Sequence, residues 1–218
     1  MKEKLVVVGN GMAGIRAIEE LLKLAPEKYS ITVFGAEPHV NYNRILLSPV
    51  LAGEKKFADI VLNDDAWYAD NGITLHKGKE VVSIDRHSRK VVAKDGTEAS
   101  YDRLLLATGS TPFLLPVPGK DLPGVIGFRD LADVESMLAA AGKFHHAVVI
   151  GGGLLGLEAA NGLMKQGMKV TVVHLPDLLM ERQLDQAAAR MLKKELETRG
   201  LQFIFKGVTK EIFGKGRV

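Results

Sequence analysis

VVVGNGMAG (6–14) reads as a buried strand running into a glycine turn, and VVIGGGLLG (148–156) repeats it 142 positions later. Gly9, Gly11 and Gly14 recur as Gly151, Gly153 and Gly156, and Val6, Val7 and Val8 recur as Val148, Val149 and Ile150. In each copy an apolar strand leads in and an amphipathic helix leads out, which makes the repeat a structural unit. The first glycine of GxGxxG lets the chain turn off the strand, the second lets backbone N–H groups approach a pyrophosphate, and the third lets helix and strand pack closely. The helix N-terminus adds unpaired N–H groups and roughly half a positive charge toward the phosphates. A methyl group at Gly11 or Gly153 is expected to block that approach. Two units imply two dinucleotides, read as one bound flavin and one exchanging nicotinamide nucleotide.

The 218 residues are 46% hydrophobic and 25% charged, ordinary values for a globular chain of one large or two small domains. The net charge of +3 comes from 29 basic and 26 acidic residues interspersed along the chain, so no nucleic-acid surface is expected. The apolar run before the first glycines is too short for a signal peptide, and no stretch reaches the ~18 apolar residues of a membrane span. A cytoplasmic location follows as the expectation. Cysteine is absent, so this chain by itself has neither a thiol pair for disulfide exchange nor thiolates for an iron–sulfur cluster. The six histidines lack metal-ligand spacing, and His145–His146 read as a loop before a strand rather than a metal site.

Outward from the first motif, Ile15, Ile18, Leu21, Leu22 and Ala25 recur at helical spacing up to Pro26. Residues 30–34 then supply a second parallel strand, completing a βαβ unit. Glu37, 23 residues after Gly14, stands where a carboxylate accepts the adenosine ribose hydroxyls, its other reading being a solvated loop glutamate. Residues 79–101 read as an antiparallel hairpin with turn chemistry at 85–89 and at Asp95-Gly96. The run 104–107 lacks alternation and suits a strand buried on both faces, opening at its C-terminal end onto a ligand crevice. Pro112, Pro116, Pro118 and Pro123 mark a linker. Beyond it, Asp130 caps a helix through Ala141 with Leu131, Val134 and Leu138 inward. The second βαβ unit has a helix carrying Leu157, Ala160 and Met164, then a strand over 169–173. A helix over about 184–199 is expected to bury Leu184, Ala188, Met191 and Leu192 before strand LQFIF, and the chain closes inside another hairpin.

The first GxGxxG, GAEPHVNYNRILLS (35–48), the apolar run closing in ATGS (107–110) and VIGGGLLGLEAA (149–160) together resemble the two-dinucleotide flavoprotein oxidoreductases. NYNRILLSPVLAGE (41–54) and WYADNGI (67–73) are most similar to the FAD-binding N-terminal part of the NAD(P)H-dependent nitrite reductase large subunit. The resemblance implies an α/β fold of two Rossmann-like three-layer dinucleotide-binding units with an antiparallel β-meander. It divides the chain into a first FAD-binding segment (1–112), a linker (113–124) and an incomplete NAD(P)-binding domain (125–218). It further implies that Gly9, Gly11, Ala13 and Gly14 hold the FAD pyrophosphate, Glu37 the ribose and Val81, through its backbone, the adenine. Arg44 and Arg129 match positions that approach the flavin nucleotide, with a surface ion pair as the other reading of each. Thr108 and Gly109 pass the bound FAD or simply end a strand. Gly151, Gly153, Leu154, Gly156 and His174 fall to the nicotinamide nucleotide. Glu158 matches a glutamate near the nicotinamide, its alternative being an exposed helix glutamate, and no general acid or base is assigned.

By this resemblance the intact protein passes a hydride from NAD(P)H to FAD and electrons onward to nitrite, yielding ammonium. The iron–sulfur and sirohaem centres lie in parts outside this chain, and downstream electron-transfer domains or a small subunit are the expected partners, with a homodimer left open. The alternatives are a rubredoxin- or ferredoxin-type reductase and a non-catalytic dinucleotide-binding module. Three departures stand out. Pro49 occupies the place of a lysine in the carrier reductases, and His174 that of the acidic residue marking NAD preference, which leaves NADH against NADPH open. A later Gly-Asp flavin segment does not occur, so a truncated piece with weak FAD retention is expected.

Overall fold

The computed structural model describes residues 2–218. In chain order it has β1 (Glu3–Val8), α1 (Met12–Leu24), β2 (Tyr29–Phe34), β3 (Asn41–Tyr42), α2 (Leu47–Leu51), β4 (Val61–Asn63), α3 (Asp65–Asp70) and β5 (Thr74–His76). There follow β6 (Val81–Asp85), β7 (Lys90–Ala93), β8 (Glu98–Ser100), β9 (Arg103–Leu106), α4 (Leu131–Ala141) and β10 (His146–Ile150). The last elements are α5 (Leu154–Lys165), β11 (Lys169–His174), α6 (Gln186–Thr198) and β12 (Gln202–Phe205). They gather into two compact units, one formed by the residues up to Arg44 with Ala58–Ser110, the other by Ile45–Phe57 with Thr111–Val218.

The first unit is built on β1, whose four consecutive apolar residues are all buried. Leu5 and Val7 pack with Ile15 and Ile18 of α1 on one face. Val6 and Val8 pack with Phe34, Val91 and Ala93 on the other. Such burial on both faces is what a central parallel strand requires. The sheet order is β5-β2-β1-β9 with every pair parallel. The antiparallel meander β6-β7-β8 forms its own sheet, and Val91 and Ala93 of β7 lie in the cluster on the second face. Helix, parallel sheet and meander are therefore the three expected layers. The meander's first turn is tied by Asp85, whose carboxylate accepts the His87 and Ser88 N–H groups at 2.8 and 3.0 Å. The Ser88 hydroxyl first, and then these two backbone bonds, hold its carboxyl below the usual range.

The second unit repeats the parallel plan in the order β10-β11-β12. Asp130 caps α4 as read, accepting the Asp133 N–H at 2.9 Å, while Asp133 returns a bond to the Asp130 N–H at 3.3 Å. On α5, Leu157, Ala159, Ala160, Gly162 and Leu163 are buried. Short α2 lies against Gly162, where a Cβ would come within 2.6 Å of the Leu51 side chain. Gln166 Nε2 donates to the Leu51 carbonyl at 2.8 Å, and Lys165 pairs with Glu54.

Four expectations are corrected. Strand β9 is not buried on both faces: it pairs with β1 alone, and Leu106 is 58% exposed. An uninterrupted apolar run is equally compatible with a sheet edge. On α6, Met191 is 74% exposed, while Ala189 and Leu196 are buried. The buried stripe runs through 189, 192–193 and 196, and Met191 falls away from it at 100° per residue. On α4 the third inward residue is Met137, with Leu138 only half-buried. Residues 206–218 form no hairpin: the Ile212 N–H goes to the Pro118 carbonyl at 2.9 Å and the Val218 N–H to Pro123 at 3.0 Å. These isolated bonds to a proline-rich stretch are too widely spaced for a strand ladder. Among the described residues no helix is long and apolar enough to cross a membrane.

Candidate dinucleotide-binding loops

At the end of β1, Gly9 has φ +118° and its N–H bonds the Phe34 carbonyl at 2.8 Å. A side chain there is excluded twice, by the left-handed backbone and by the Ala107 carbonyl that its Cβ would strike. A Cβ at Gly14 would lie 2.6 Å from the Gly9 carbonyl oxygen and 3.2 Å from Ala107 Cβ. Gly11 differs from both. Its φ of −88° suits any residue, and nothing stands within 4 Å of a Cβ built on it. As the N-cap of α1 it supplies no side-chain acceptor, and Ala13 beside it is exposed. The first-turn amides of α1 are thus left for an outside acceptor.

The second loop is alike except at its first glycine, where a Cβ would meet nothing within 4 Å and only the positive φ disfavours a side chain. Gly151 has φ +124° and its N–H bonds the Val173 carbonyl at 2.9 Å. A Cβ at Gly156 would strike the Gly151 carbonyl, whereas Gly153, the N-cap of α5 at φ −84°, has nothing within 4 Å. In both copies the first glycine takes a positive φ, the third packs against backbone, and the middle one combines an ordinary φ with open space. This is a cradle that a Cβ would fill, and it fits a bound pyrophosphate.

The loops are anchored by residues that the motif does not specify. Asn10 Nδ2 donates to the His39 carbonyl at 3.2 Å, and its Oδ1 accepts from the Tyr68 hydroxyl at 2.7 Å. Asn41 Nδ2 donates to the Asn10 carbonyl at 3.1 Å. Tyr68 is buried, and burial pushes its phenol up to about 12. Tyr68→Phe leaves the Asn10 carboxamide oxygen without this donor and is expected to cost about 1 kcal/mol, lowering Tm by about 2–4 °C. A thermal melt with unchanged Tm would show that the bond is not formed.

Of the residues read as flavin-directed, Glu37 and Arg44 form an ion pair, and Tyr42 donates its hydroxyl to Glu37 at 2.7 Å. Arg44 also lies over the Tyr42 ring, 5.3 Å from its centroid. The Gly78 N–H bonds the Glu37 carbonyl and the Lys79 N–H bonds that of Gly35, fixing the loop that leads to Val81. Thr108 and Gly109 follow β9, exposed, with Gly109 at φ +76°. Arg129 lies in the second unit just before α4, its N–H bonded to Asp133 at 2.7 Å. In the second loop, Leu154 is exposed at the start of α5. Glu158 accepts a 2.6 Å hydrogen bond from the Ser48 hydroxyl of α2. His174 is buried, with Nδ1 accepting from the Gly152 N–H at 3.0 Å and Nε2 lying 3.2 Å from Glu181. Among the described residues no cluster of three or more histidines and carboxylates is placed to hold a metal.

Residues 3–218 match the sequence pattern of the pyridine nucleotide-disulphide oxidoreductases. The chain belongs to this family. The nitrite reductase [NAD(P)H] of Bacillus subtilis is 54% identical over 217 residues, 100% of this chain and 27% of that protein. The assimilatory nitrate reductase electron transfer subunit of the same organism is 51% identical, covering 98% of this chain and 28% of that one. The chain thus spans little more than a quarter of these relatives. A solved ferredoxin reductase of Rhodopseudomonas palustris superposes with a TM-score of 0.89 at 28% identity, over 99% of this chain and 53% of that one. The family's disulphide chemistry has no counterpart among this chain's own residues, which include no cysteine.

Asn10, Tyr68, Ser48 and Glu181 were not singled out from sequence. One signal was available: the middle position of GxG is asparagine in the first copy and glycine in the second. A side chain that differs so much between two otherwise matched loops has to be accommodated differently in each.

Proposed function

We propose that the intact protein is a cytoplasmic flavoprotein oxidoreductase whose first loop holds FAD and whose second holds NAD(P)H. It would form the dehydrogenase portion of an assimilatory or dissimilatory nitrite reductase. The observation that carries this reading is the matched pair of open positions, Gly11 and Gly153, each at ordinary φ as the N-cap of a helix, preceded by a positive-φ glycine and followed by one whose Cβ would strike backbone. The high identity to a nitrite reductase supports the choice of terminal acceptor. A flavin held there would supply the acceptor for a hydride from the nicotinamide and the onward release of electrons.

The residues of the chain then supply binding and alignment. Gly9, Gly11, Ala13 and Gly14 present the α1 amides to the FAD pyrophosphate, and Glu37, steadied by Tyr42 and Arg44, accepts from the ribose. Val81 meets the adenine through its backbone, and Arg44, Thr108, Gly109 and Arg129 serve the flavin nucleotide. Gly151, Gly153, Leu154 and Gly156 receive the NAD(P)H pyrophosphate at the N-terminus of α5, and His174, buried at the strand end, serves that nucleotide by holding the loop through the Gly152 amide. Glu158, held by Ser48, orients the nicotinamide. On this reading 1–112 is the first segment of the FAD domain, 113–124 a linker and 125–218 part of the NAD(P) domain. Iron–sulfur and sirohaem centres, or a small subunit, take the electrons outside this chain.

A second reading, a reductase of a rubredoxin or ferredoxin, draws on the fold similarity to a ferredoxin reductase. Full-length protein is expected to purify with flavin, to lose flavin absorbance on anaerobic addition of NAD(P)H and to regain it on addition of nitrite. Flavin-free protein, or flavin untouched by NAD(P)H, removes the oxidoreductase reading. Reoxidation by small carriers but not by nitrite selects the second one.

A further inference from the structure

The two loops are locked by a reciprocal exchange of side chain. Gly9 bonds Phe34 and Gly151 bonds Val173, so the next residues, Gly35 and His174, occupy equivalent places after the second strand of each unit. In the first unit Asn10 fills the gap over Gly35, where a Cβ would lie 2.9 Å from Asn10 Cβ. In the second unit the filling comes from the opposite side. Gly152 has no side chain, and a Cβ there would lie 2.8 Å from the His174 ring and from Leu179.

The hydrogen bonds set the state of that ring. A backbone N–H only donates, so the Nδ1 that accepts from Gly152 carries no proton, and the single proton of the neutral imidazole sits on Nε2 toward Glu181. A second proton would set Nδ1–H against the Gly152 N–H. Gly152 is also held from its other side, its carbonyl accepting the Met180 N–H at 3.0 Å. From the segment after β11, Glu181 is the charged group against the ring, with Arg182 acting on it, while Asp177 of the same segment lies 3.8 Å from Lys206. Beyond β12, Lys193 of α6 lies over Phe205, whose ring is 6.5 Å from the imidazole. From the loop before α5 the Gly152 amide meets the ring.

We propose that His174 is a positioning residue of the second phosphate loop: as a neutral imidazole it holds the Gly152 amide, and on protonation it releases the loop and weakens binding of the nicotinamide dinucleotide. This inference rests on reading that loop as the NAD(P)H site. The first loop provides an internal control, because Asn10 and Tyr68 do not titrate near neutrality. Acidification should therefore act on NAD(P)H affinity and leave flavin content alone.

The experiment is steady-state kinetics of the full-length flavoenzyme with NADH from about pH 8.5 to about pH 5.5. Wild type is expected to show KM rising about tenfold across this range with kcat changing far less. His174→Asn offers an oxygen acceptor that does not titrate, and it should keep the alkaline KM within about threefold and flatten the slope. His174→Phe keeps the ring but loses the acceptor, and its KM should be high at every pH. Comparison with the Asn variant cancels titration of the nucleotide itself. An Asn variant that keeps the wild-type slope, or a flat wild-type profile, overturns the inference. Failure of NADH to reduce wild-type flavin even at alkaline pH instead removes the functional reading on which it stands.

Discussion

Gly153→Ala in the full-length protein is expected to abolish reduction of bound flavin by NAD(P)H, with kcat/KM falling at least about 100-fold, while the fold is unaffected. The reason lies in what surrounds the three glycines of the second motif. A Cβ at Gly153 meets no protein atom within 4 Å, and its φ of −84° is open to alanine. Alanine caps a helix slightly less well than glycine, by about 0.5–1 kcal/mol, and restricts the unfolded chain by a similar amount. The two nearly cancel, so Tm should move by no more than about 2 °C. What the methyl group would meet is the incoming pyrophosphate, since the α5 amides can be reached only where the backbone is bare. Circular dichroism melts and anaerobic flavin spectra on the same preparation test both halves. Undiminished NAD(P)H reduction would remove the dinucleotide from this loop.

Gly156→Ala, three residues along the same loop, is expected to do the reverse and damage the fold. Its Cβ would collide with the Gly151 carbonyl, and Val149 Cγ1 lies 3.6 Å away. Gly151 has little room to retreat, because it sits at φ +124° and its N–H is bonded to Val173. Forcing a methyl group into a packed contact of this kind costs roughly 3 kcal/mol, which for a chain of this size lowers Tm by about 6–12 °C. Gly14→Ala should behave similarly, since its Cβ would lie 2.6 Å from the Gly9 carbonyl oxygen. A Gly156→Ala protein melting with the wild type would mean that the helix is not seated this closely on the strand. Two alanines in one motif thus separate binding from stability.

The parts of the fold legible in sequence are those where one physical requirement acts locally. Leu5–Val8 is apolar without alternation because β1 is covered on both faces, and Asp130 with Asp133 marks the start of α4 through a pair of bonds confined to four residues. The excursion of 45–57 into the second unit was not legible. Helix α2 has only five residues, too few for an amphipathic period, and what recruits it is Gly162, more than a hundred positions away. The misplaced Met191 has the opposite origin: Leu184, Ala188, Met191 and Leu192 fit a helical stripe, but Ala189 and Leu196 fit one equally well, and only the neighbouring strands choose between them. At the candidate site, the glycines and Glu37 are proposed from motif spacing, and Arg44 and Glu158 from the family resemblance. Their supports could not be named in this way, because Tyr68, Ser48 and Glu181 act through contacts that no spacing rule encodes. The exchange of Asn10 over Gly35 for His174 over Gly152 lies between these cases, visible once the two copies are aligned and explained only by the geometry.

The most direct test of two unequal dinucleotide loops is the flavin content and NAD(P)H response of full-length Gly11→Ala and Gly153→Ala proteins, measured side by side. Both substitutions enter open space at φ near −85°, and both should fold. Gly11→Ala is predicted to purify depleted of flavin, and Gly153→Ala to purify with its flavin intact but unreduced by NAD(P)H. The opposite pattern, or flavin loss from both variants alike, would contradict the assignment of FAD to the first loop and NAD(P)H to the second.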